Sequence, residues 1–204
     1  MTARRRLVVG ITGASGSIYG VRLLERLREA GVESHLIVSR WGARTLTHET
    51  RYGVDQVRRL ADVVYPAADQ GAAVSSGSFQ TMGMVVVPCS VKTLGQIATC
   101  TGESLIPRAA DVVLKERRRL VLCVRESPLH EIHLRHMLTL TRMGAVIAPP
   151  LPAFYNRPRT VDEIVDYTVT RLLDLFGIDT PGAPRWDGEM GVAGQAVASD
   201  VRDA

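Results

Sequence analysis

The stretch Leu7–Gly16, LVVGITGASG, decides the fold of this chain. Its first five residues are mainly β-branched and apolar, which predicts a short buried strand over Leu7–Ile11. Two glycines and a serine follow at once, and apolar side chains then recur at helical spacing from Ser17 to Ala30, where Gly31 ends the pattern. A strand, a glycine-rich turn and a helix in this order predict a βα unit. Its backbone can approach a ligand, and its helix start favours a phosphate.

The rest of the chain repeats this alternation of short apolar runs and helical patterns. Such a pattern predicts a parallel sheet covered on both faces, and therefore a three-layer, Rossmann-like single domain over residues 1–180. Residues 181–204 are rich in Gly, Pro, Asp and Ala, and we expect a partly mobile tail there. The further predicted strands are Val32–Val38, Met84–Val87, Leu120–Val124 and Ala145–Ala148, and the further helices are Trp41–Thr50, Val54–Val64, Thr93–Ala98, Ser104–Glu116, His130–Met143 and Val161–Phe176.

The ligand of such a sheet binds outside the carboxyl ends of its strands. The first turn, Gly13-Ala14-Ser15-Gly16, is not the GxGxxG of dinucleotide-binding folds, and no Gly-Lys-Ser/Thr follows, which excludes an ATP P-loop. The second strand ends in Ser39-Arg40, where an NAD fold places an acidic residue. The turn therefore favours a mononucleotide, and the alternative is a tight turn that binds nothing.

Composition excludes several classes of protein. The chain has 204 residues, of which 46% are hydrophobic, and no apolar run is long enough to cross a membrane, so we expect a cytoplasmic protein. Its net charge of +4 favours anionic partners, but the arginines are scattered and only 5% of residues are aromatic, which argues against nucleic acid. Cys89, Cys100 and Cys123 form no CxxC pair, and we expect buried free thiols.

Several polar groups are candidates for the site. Arg108 and Lys115 are seven residues apart on one predicted helix, so they point the same way and could hold a phosphate; the alternative is a solvated face with Asp111 paired to Lys115. Arg125-Glu126 ends the fourth predicted strand, where a carboxylate could transfer protons or form a structural ion pair. His130, His133 and His136 share a helix, and partly exposed histidines are favoured over a metal site. Within that helix we expect Ile132, Met137, Leu138 and Leu140 to face inward.

Taken in order, the motifs of the chain resemble the flavin prenyltransferase family of the UbiX type. The resemblance extends from about Leu7 to Trp186. It rests on Ile11–Gly16, Tyr19-Gly20, Ser76–Phe79, Pro88–Ser90, Lys92–Leu94, Arg108–Asp111, Leu114–Glu116, Arg125–Leu129, Ile132–Leu134, and Phe154-Tyr155 with Pro158. It implies a flavodoxin-like homo-dodecamer that transfers dimethylallyl from its monophosphate to N5 and C6 of reduced FMN. It also implies that no metal is needed and that the prenylated FMN serves a partner decarboxylase.

The resemblance also implies roles for particular residues. FMN would be bound by Gly13, Ala14, Ser15, Ser39, Ser90, Val91, Lys92, Thr93 and Arg125. The prenyl phosphate would be held by Arg108, Lys115, Tyr155 and Arg171, some from a neighbouring chain, with Trp186 packed over the site. Glu126 would move protons, with Ser15 close by, and Lys115 would assist departure of the phosphate.

The sequence departs from the family pattern at two positions, and two alternative functions accompany the resemblance. Cys100 and Ser104 stand where the family commonly has Gly and Asn. The enzymatic rival is a flavin-dependent cysteinyl decarboxylase, for which His48 is the candidate histidine, although its surroundings do not match. The rival of another class is a non-catalytic flavin carrier, which would need the Gly13–Gly16 turn but not Glu126.

Overall fold

The computed structural model of the protein describes residues 5–182 and Arg185, and everything below concerns these residues. They form strands β1 (Arg6–Ile11), β2 (Glu33–Val38), β3 (Val63–Tyr65), β4 (Gly83–Cys89), β5 (Arg119–Val124) and β6 (Val146–Ile147). The helices are α1 (Ser17–Glu29), α2 (Arg40–Glu49), α3 (Val54–Arg58), α4 (Val91–Thr99), α5 (Leu105–Lys115), α6 (Glu131–Arg142) and α7 (Val161–Asp174), with short 3₁₀ turns at Ala73–Ser75 and Phe154–Asn156.

All neighbouring strands pair in parallel, in the order β3-β2-β1-β4-β5-β6. Successive connections move outward in one direction from β1 and in the other direction from β4. The direction in which successive strands are added to the sheet therefore reverses between β1 and β4, and open α/β sheets bind ligands at such a point. The predicted Rossmann-like parallel sheet is confirmed.

Alternate residues of each central strand enter two separate cores. One core packs residues such as Val9 and Val85 against α1, α2, α3 and α7. The other packs residues such as Val8 and Val86 against α4, α5 and α6. This alternation follows from the period of two along a strand, and it produces the predicted three layers.

The predicted helix over Val54–Val64 is wrong in its second half. The helix ends at Arg58, and Val63–Tyr65 forms a sixth strand at the edge of the sheet, paired with β2. Asp62 explains the change, because its carboxylate accepts hydrogen bonds from the backbone N–H and hydroxyl of Ser34, at 2.8 and 3.0 Å. These bonds fix the chain beside β2 just before β3 begins.

Two expectations about burial are also corrected. In α6 only Leu140 is buried and Met137 is partly buried, whereas Ile132 and Leu138 are about half exposed, at 49% and 51%. The inward face of α6 is therefore narrower than its pattern indicated, and an apolar face is left outward. Cys89 and Cys123 are buried thiols, as expected, but Cys100 is exposed.

None of the helices in the described part of the chain is both long and apolar enough to cross a membrane.

Candidate functional site

A cavity of about 600 Å³ opens at the carboxyl edge of the sheet, beside the β1/β4 switch point. Five of the residues predicted to bind FMN line it, namely Gly13, Ser39, Ser90, Lys92 and Thr93. The same cavity is also lined by residues for which the sequence predicted no role in a site, namely Arg40, Trp41, Ala67, Ala68, Gln96, Glu103 and Ile106, and by Ser104. The edge of the sheet at which the sequence predicts a ligand therefore carries a cavity.

Two helices begin at this cavity. Ser39 caps α2 by accepting a hydrogen bond from Gly42 N–H at 2.9 Å, and Ser90 caps α4 by accepting one from Thr93 N–H at 3.3 Å. The other first-turn N–H groups of a helix have no partner within the helix, and the positive end of the helix dipole lies there. Two such helix starts, together with Lys92, make this end of the cavity suitable for a phosphate.

The hydroxyl of Thr12 ties the central strands together below the cavity. It donates a hydrogen bond to the carbonyl of Pro88 at 2.7 Å and accepts one from the N–H of Ser90 at 2.8 Å. Thr12 is buried, so these bonds are shielded from water. They fix the turn after β1 and the start of α4 relative to each other.

Gly13 lies in close contact with Trp41. A Cβ on Gly13 would lie 2.6 Å from the Cβ of Trp41, which leaves no room for any side chain. The indole of Trp41 is 60% exposed at the rim of the cavity, and the guanidinium of Arg44 lies 5.1 Å from the centre of its ring. The sequence did not single out Trp41, because a tryptophan in the first turn of a helix carries no local signal for a site.

The predicted role of the α1 helix start needs correction. The N–H groups of Gly16 and Ser17, expected to be free for a phosphate, both donate to the carboxylate of Glu49, at 2.8 and 3.1 Å. Glu49 lies at the end of α2, 33 residues from Gly16, so no local pattern could reveal the contact. The positive end of the α1 dipole is therefore met by a carboxylate of the protein itself, whereas Ser39 and Ser90, at the starts of α2 and α4, line the cavity.

The surroundings of Glu49 determine its pKa. Partial burial alone would raise the pKa, but hydrogen bonds from the Ser15 side chain and from the N–H groups of Gly16 and Ser17, with the charge of Arg125, lower it below the ordinary value. Glu49 is therefore a carboxylate at neutral pH. Its hydrogen bond with Ser15 and the influence of Arg125 bring two predicted site residues to the same place.

The residues at the end of β5 lie at the same edge. The N–H of Arg125 donates to the carbonyl of Cys89 at 3.1 Å, which holds the end of β5 beside the end of β4. Glu126 is exposed, and its carboxylate accepts a hydrogen bond from the N–H of Ser127 at 3.1 Å. Its place at the ligand edge matches the prediction, and it faces solvent in a single chain.

Arg108 and Lys115 are not among the residues that line the cavity. Helix α5 begins beside the cavity, which Ser104 and Ile106 line, and it ends just before β5 starts, at the opposite edge of the sheet. Arg108 pairs with Asp111 at 2.8 Å and donates to the carbonyl of Ser75 at 3.3 Å. Lys115 pairs with Glu116. The expected alternative, Asp111 with Lys115, is therefore not the pairing adopted.

Tyr155 and Arg171 lie on the other layer of the sheet. The hydroxyl of Tyr155 hydrogen-bonds that of Tyr167 on α7, and Arg171, in the last turn of α7, pairs with Asp174. Helix α7 belongs to the α1 core, whereas α5 belongs to the α4 core. Within one chain, the residues predicted to hold the prenyl phosphate therefore lie on opposite faces of the sheet. Trp186 lies outside the described residues.

The histidines show no arrangement suited to a metal. The rings of His130 and His133 stack with centres 3.5 Å apart, and within residues 5–182 and Arg185 no three His, Cys, Asp or Glu side chains group around a common metal position. His48 is exposed on α2 and lines a shallow groove with Ala43 and Arg44, apart from the cavity.

Comparisons with known proteins agree with this geometry. A family model described as Flavoprotein matches residues 1–173. A relative from Streptomyces sp. (strain D7), described as a probable UbiX-like flavin prenyltransferase, is 58% identical over 200 residues, which cover 98% of this chain and 99% of the relative.

Two solved structures have the same fold over most of their length. One is described as AnUbiX (PadA1) in complex with FMN and dimethylallyl pyrophosphate; its TM-score is 0.90 at 52% identity, covering 92% of this chain and 100% of that chain. The other is described as a dodecameric FMN-dependent UbiX-like decarboxylase from Escherichia coli O157:H7; its TM-score is 0.88 at 54% identity, covering 90% of this chain and 100% of that chain.

Proposed function

The chain belongs to the Flavoprotein family and, within it, to the UbiX-type flavin prenyltransferases, and from this membership we propose the details of its reaction. The enzyme transfers a dimethylallyl group from dimethylallyl monophosphate to N5 and C6 of reduced FMN. The prenylated FMN then serves a partner decarboxylase. The related structure described with FMN and dimethylallyl pyrophosphate supports the flavin and, as the class of donor, a phosphate ester of dimethylallyl alcohol.

The cavity at the β1/β4 switch point fits FMN. The starts of α2 and α4, with Ser39, Ser90 and Lys92, would hold the phosphate, since they offer free N–H groups and positive charge. Gly13, Ala14 and Ser15 would lie along the rest of the ligand, with Val91 and Thr93 on α4 and Arg125 at the end of β5. The single observation that carries the proposal is this convergence of two helix starts on one cavity.

When bound, reduced FMN supplies the nucleophilic N5 and C6 atoms. The chain's own part is to stabilise the departing phosphate, and Arg108, Lys115 and Arg171 would do so with fixed positive charge, joined by the hydroxyl of Tyr155. Holding donor and acceptor in contact removes much of the entropic barrier. Trp186, from beyond the described residues, is proposed to cover the site.

The distribution of these cations supports a site shared between chains. Lys115 lies at the edge of the sheet opposite the cavity, and Arg171 lies on the opposite layer, so neither reaches the cavity of its own chain. A neighbouring copy would supply them. The outward apolar face of α6, with Ile132, Leu134 and Leu138 about half exposed, offers a surface for such a neighbour. A homo-dodecamer, as described for the related structure from Escherichia coli O157:H7, is the assembly we propose.

Two carboxylates are proposed for proton transfer. Glu49 bonds to Ser15 beside the cavity, which makes the pair suited to accept a proton at the flavin. Glu126 stands at the same edge, faces solvent, and would act at the leaving phosphate once a neighbouring chain covers it.

Mixed assemblies test the shared site. Gly13→Ala should damage the flavin half, and Lys115→Ala should damage the cation half. Each variant alone should be nearly inactive. Co-expressed in one assembly, the two should recover activity well above the sum of the separate proteins, because some sites then combine two intact halves. Separately purified assemblies mixed afterwards are the control. No recovery on co-expression would place both halves in one chain and refute the shared site.

A further inference from the structure

The cavity at the β1/β4 switch point has an arm, lined by Gln96, Glu103 and Ala67, that the proposed flavin contacts do not use. Helix α4 forms one wall of the cavity, since both Lys92 in its first turn and Gln96 in its second line it. From the cap residue Ser90 to Gln96 the helix rises about 9 Å. The cavity therefore continues along α4 beyond the helix start where the phosphate of FMN would bind.

The far end of the arm is formed by the loop between α4 and α5. The N–H of Thr101 donates to the carbonyl of Gln96 at 3.2 Å, which folds the loop back onto α4. The N–H of Leu105 donates to the carbonyl of Ala67 at 2.8 Å, which fixes the start of α5 beside another wall of the cavity. Glu103 lies between these two anchored points, so the structure holds a carboxylate at the end of the arm.

The two ends of the cavity differ in charge. Within the described residues, neither Lys92 nor Glu103 forms an ion pair or a side-chain hydrogen bond, so neither charge is compensated by the protein. Lys92 adds its charge to the positive end of the α4 dipole, whereas Glu103 brings a negative charge to the loop. An anionic group is therefore favoured at the start of α4 and disfavoured at the end of the arm.

This difference in charge bears on which flavin the cavity accepts. FMN ends in one phosphate, whereas FAD continues from that phosphate to a second phosphate and an adenosine. In the proposed function the flavin ring lies towards Gly13 and Arg125, so the arm along α4 is the direction left for the second phosphate. Glu103 would meet that phosphate with a like charge, and a like charge is an effective way to reject a competing ligand.

We propose that Glu103 is a specificity-determining residue that disfavours FAD and so commits the flavin cavity to FMN. This inference rests on the proposed function, because it takes the starts of α2 and α4 as the phosphate position. The role needs only the negative charge of the side chain. Glu103 is exposed and has no partner among the described residues, so its charge can be changed without the loss of a contact that holds the fold.

Flavin binding by the complete assembly, freed of flavin, tests the proposal without turnover. FMN, FAD and riboflavin are titrated separately by calorimetry, and the wild type should bind FMN more tightly than FAD. Glu103→Gln should tighten FAD binding about tenfold, because a repulsion near the second phosphate is removed. The Kd for FMN should change by less than about threefold, because its phosphate lies roughly a Debye length away. Riboflavin, which has no phosphate, should bind both proteins equally.

Two further measurements identify charge as the cause. Glu103→Lys should tighten FAD binding more than Glu103→Gln does, since it adds an attraction as well as removing the repulsion. In about 1 M salt the advantage of Glu103→Gln over the wild type should shrink to about twofold or less, because salt screens the repulsion.

An exposed carboxylate outside the cavity provides the matched control. Asp69 is close in sequence to the cavity-lining Ala68 but does not line the cavity itself. Its Oδ1 accepts a hydrogen bond from the N–H of Gly71 at 3.0 Å, and an asparagine can still accept that bond. Asp69→Asn therefore removes one negative charge with little change in structure, and it should leave FAD binding unchanged.

Three results would overturn the proposal. Unchanged FAD affinity in Glu103→Gln would show that the residue takes no part in ligand selection. An equal gain for FMN and FAD, or the same gain in Asp69→Asn, would show a general effect of net charge. A wild type that binds FAD as tightly as FMN would show that the cavity makes no such selection. A wild type that binds none of the three flavins would instead count against the proposed function itself.

Discussion

Gly13→Ala tests the cavity most sharply, because the structure fixes the size of the disturbance. The new Cβ would lie 2.6 Å from the Cβ of Trp41, whereas carbon atoms in ordinary contact lie about 3.5–4.0 Å apart. The β1 turn and the first turn of α2 must therefore separate by about 1 Å. Overpacking of this kind costs about 1–3 kcal/mol of folding free energy.

The same shift moves the N–H groups at the start of α2 away from the phosphate position. A hydrogen bond lengthened by about 1 Å is effectively lost, and each bond to a charged group contributes about 1.5–3 kcal/mol. We therefore expect the Kd for FMN to rise roughly tenfold to hundredfold for each bond lost. Titration of the protein with FMN, followed by flavin fluorescence or calorimetry, measures this change, and denaturant unfolding measures the stability.

Two companion variants make the result decisive. A Cβ on Gly53 would meet nothing closer than 3.5 Å, so Gly53→Ala should leave FMN affinity unchanged. Trp41→Gly removes the Cβ atom of Trp41 that the new Cβ of Gly13→Ala would overlap. The double variant Gly13→Ala/Trp41→Gly should therefore bind FMN better than Gly13→Ala alone. Wild-type FMN affinity in a folded Gly13→Ala protein would refute the assignment of the cavity.

Four further outcomes are expected. Glu49→Gln should retain FMN yet slow product formation at least about a hundredfold. Because folding lowers the pKa of Glu49, the carboxylate stabilises the fold fully above about pH 5, and this contribution disappears as the pH falls through the lowered pKa. The free energy of unfolding of the variant should therefore decrease less steeply than that of the wild type as the pH is lowered. Glu126→Gln should likewise retain FMN and lose prenylated product, and full activity would remove its proton role. Cys100 has a left-handed φ of 54°, so Cys100→Gly should raise the free energy of unfolding by about 0.5–1 kcal/mol, measured by denaturant titration; a loss of stability would contradict this. Leu138→Asp on the outward face of α6 should dissociate the assembly in light scattering while the chain stays folded, and an intact assembly would exclude that face as an interface.

The sequence predicted the parts of the fold that depend on local patterns. Leu7–Ile11, the turn after it and the helix that follows are specified by neighbouring residues, and so they were found. Val63–Tyr65 was missed because a three-residue edge strand gives too short a pattern, and it depends on Asp62 bonding to Ser34. Cys100 has a left-handed φ of 54°, which is the physical reason why glycine is favoured at this position; nothing in the structure explains the cysteine.

The part of the candidate site that is formed by the ends of the strands was predictable from the sequence. The residues after β1, β2 and β4 meet at one edge because parallel strands all end there, and this convergence needs no tertiary detail. Glu49 was not predictable, since it reaches Gly16 only because α2 packs beside α1. Arg171 and Lys115 were grouped by resemblance, and a single chain does not bring them together. Ile132 and Leu138 were placed inward because an apolar side chain gives the same signal whether it packs on its own sheet or faces outward.

Anaerobic incubation of the assembled protein with reduced FMN and dimethylallyl monophosphate tests the central claim most directly. Mass analysis of the extracted flavin should show one added prenyl unit, with the same yield when a metal chelator is present. An unchanged flavin mass from a protein that binds both ligands would contradict the account.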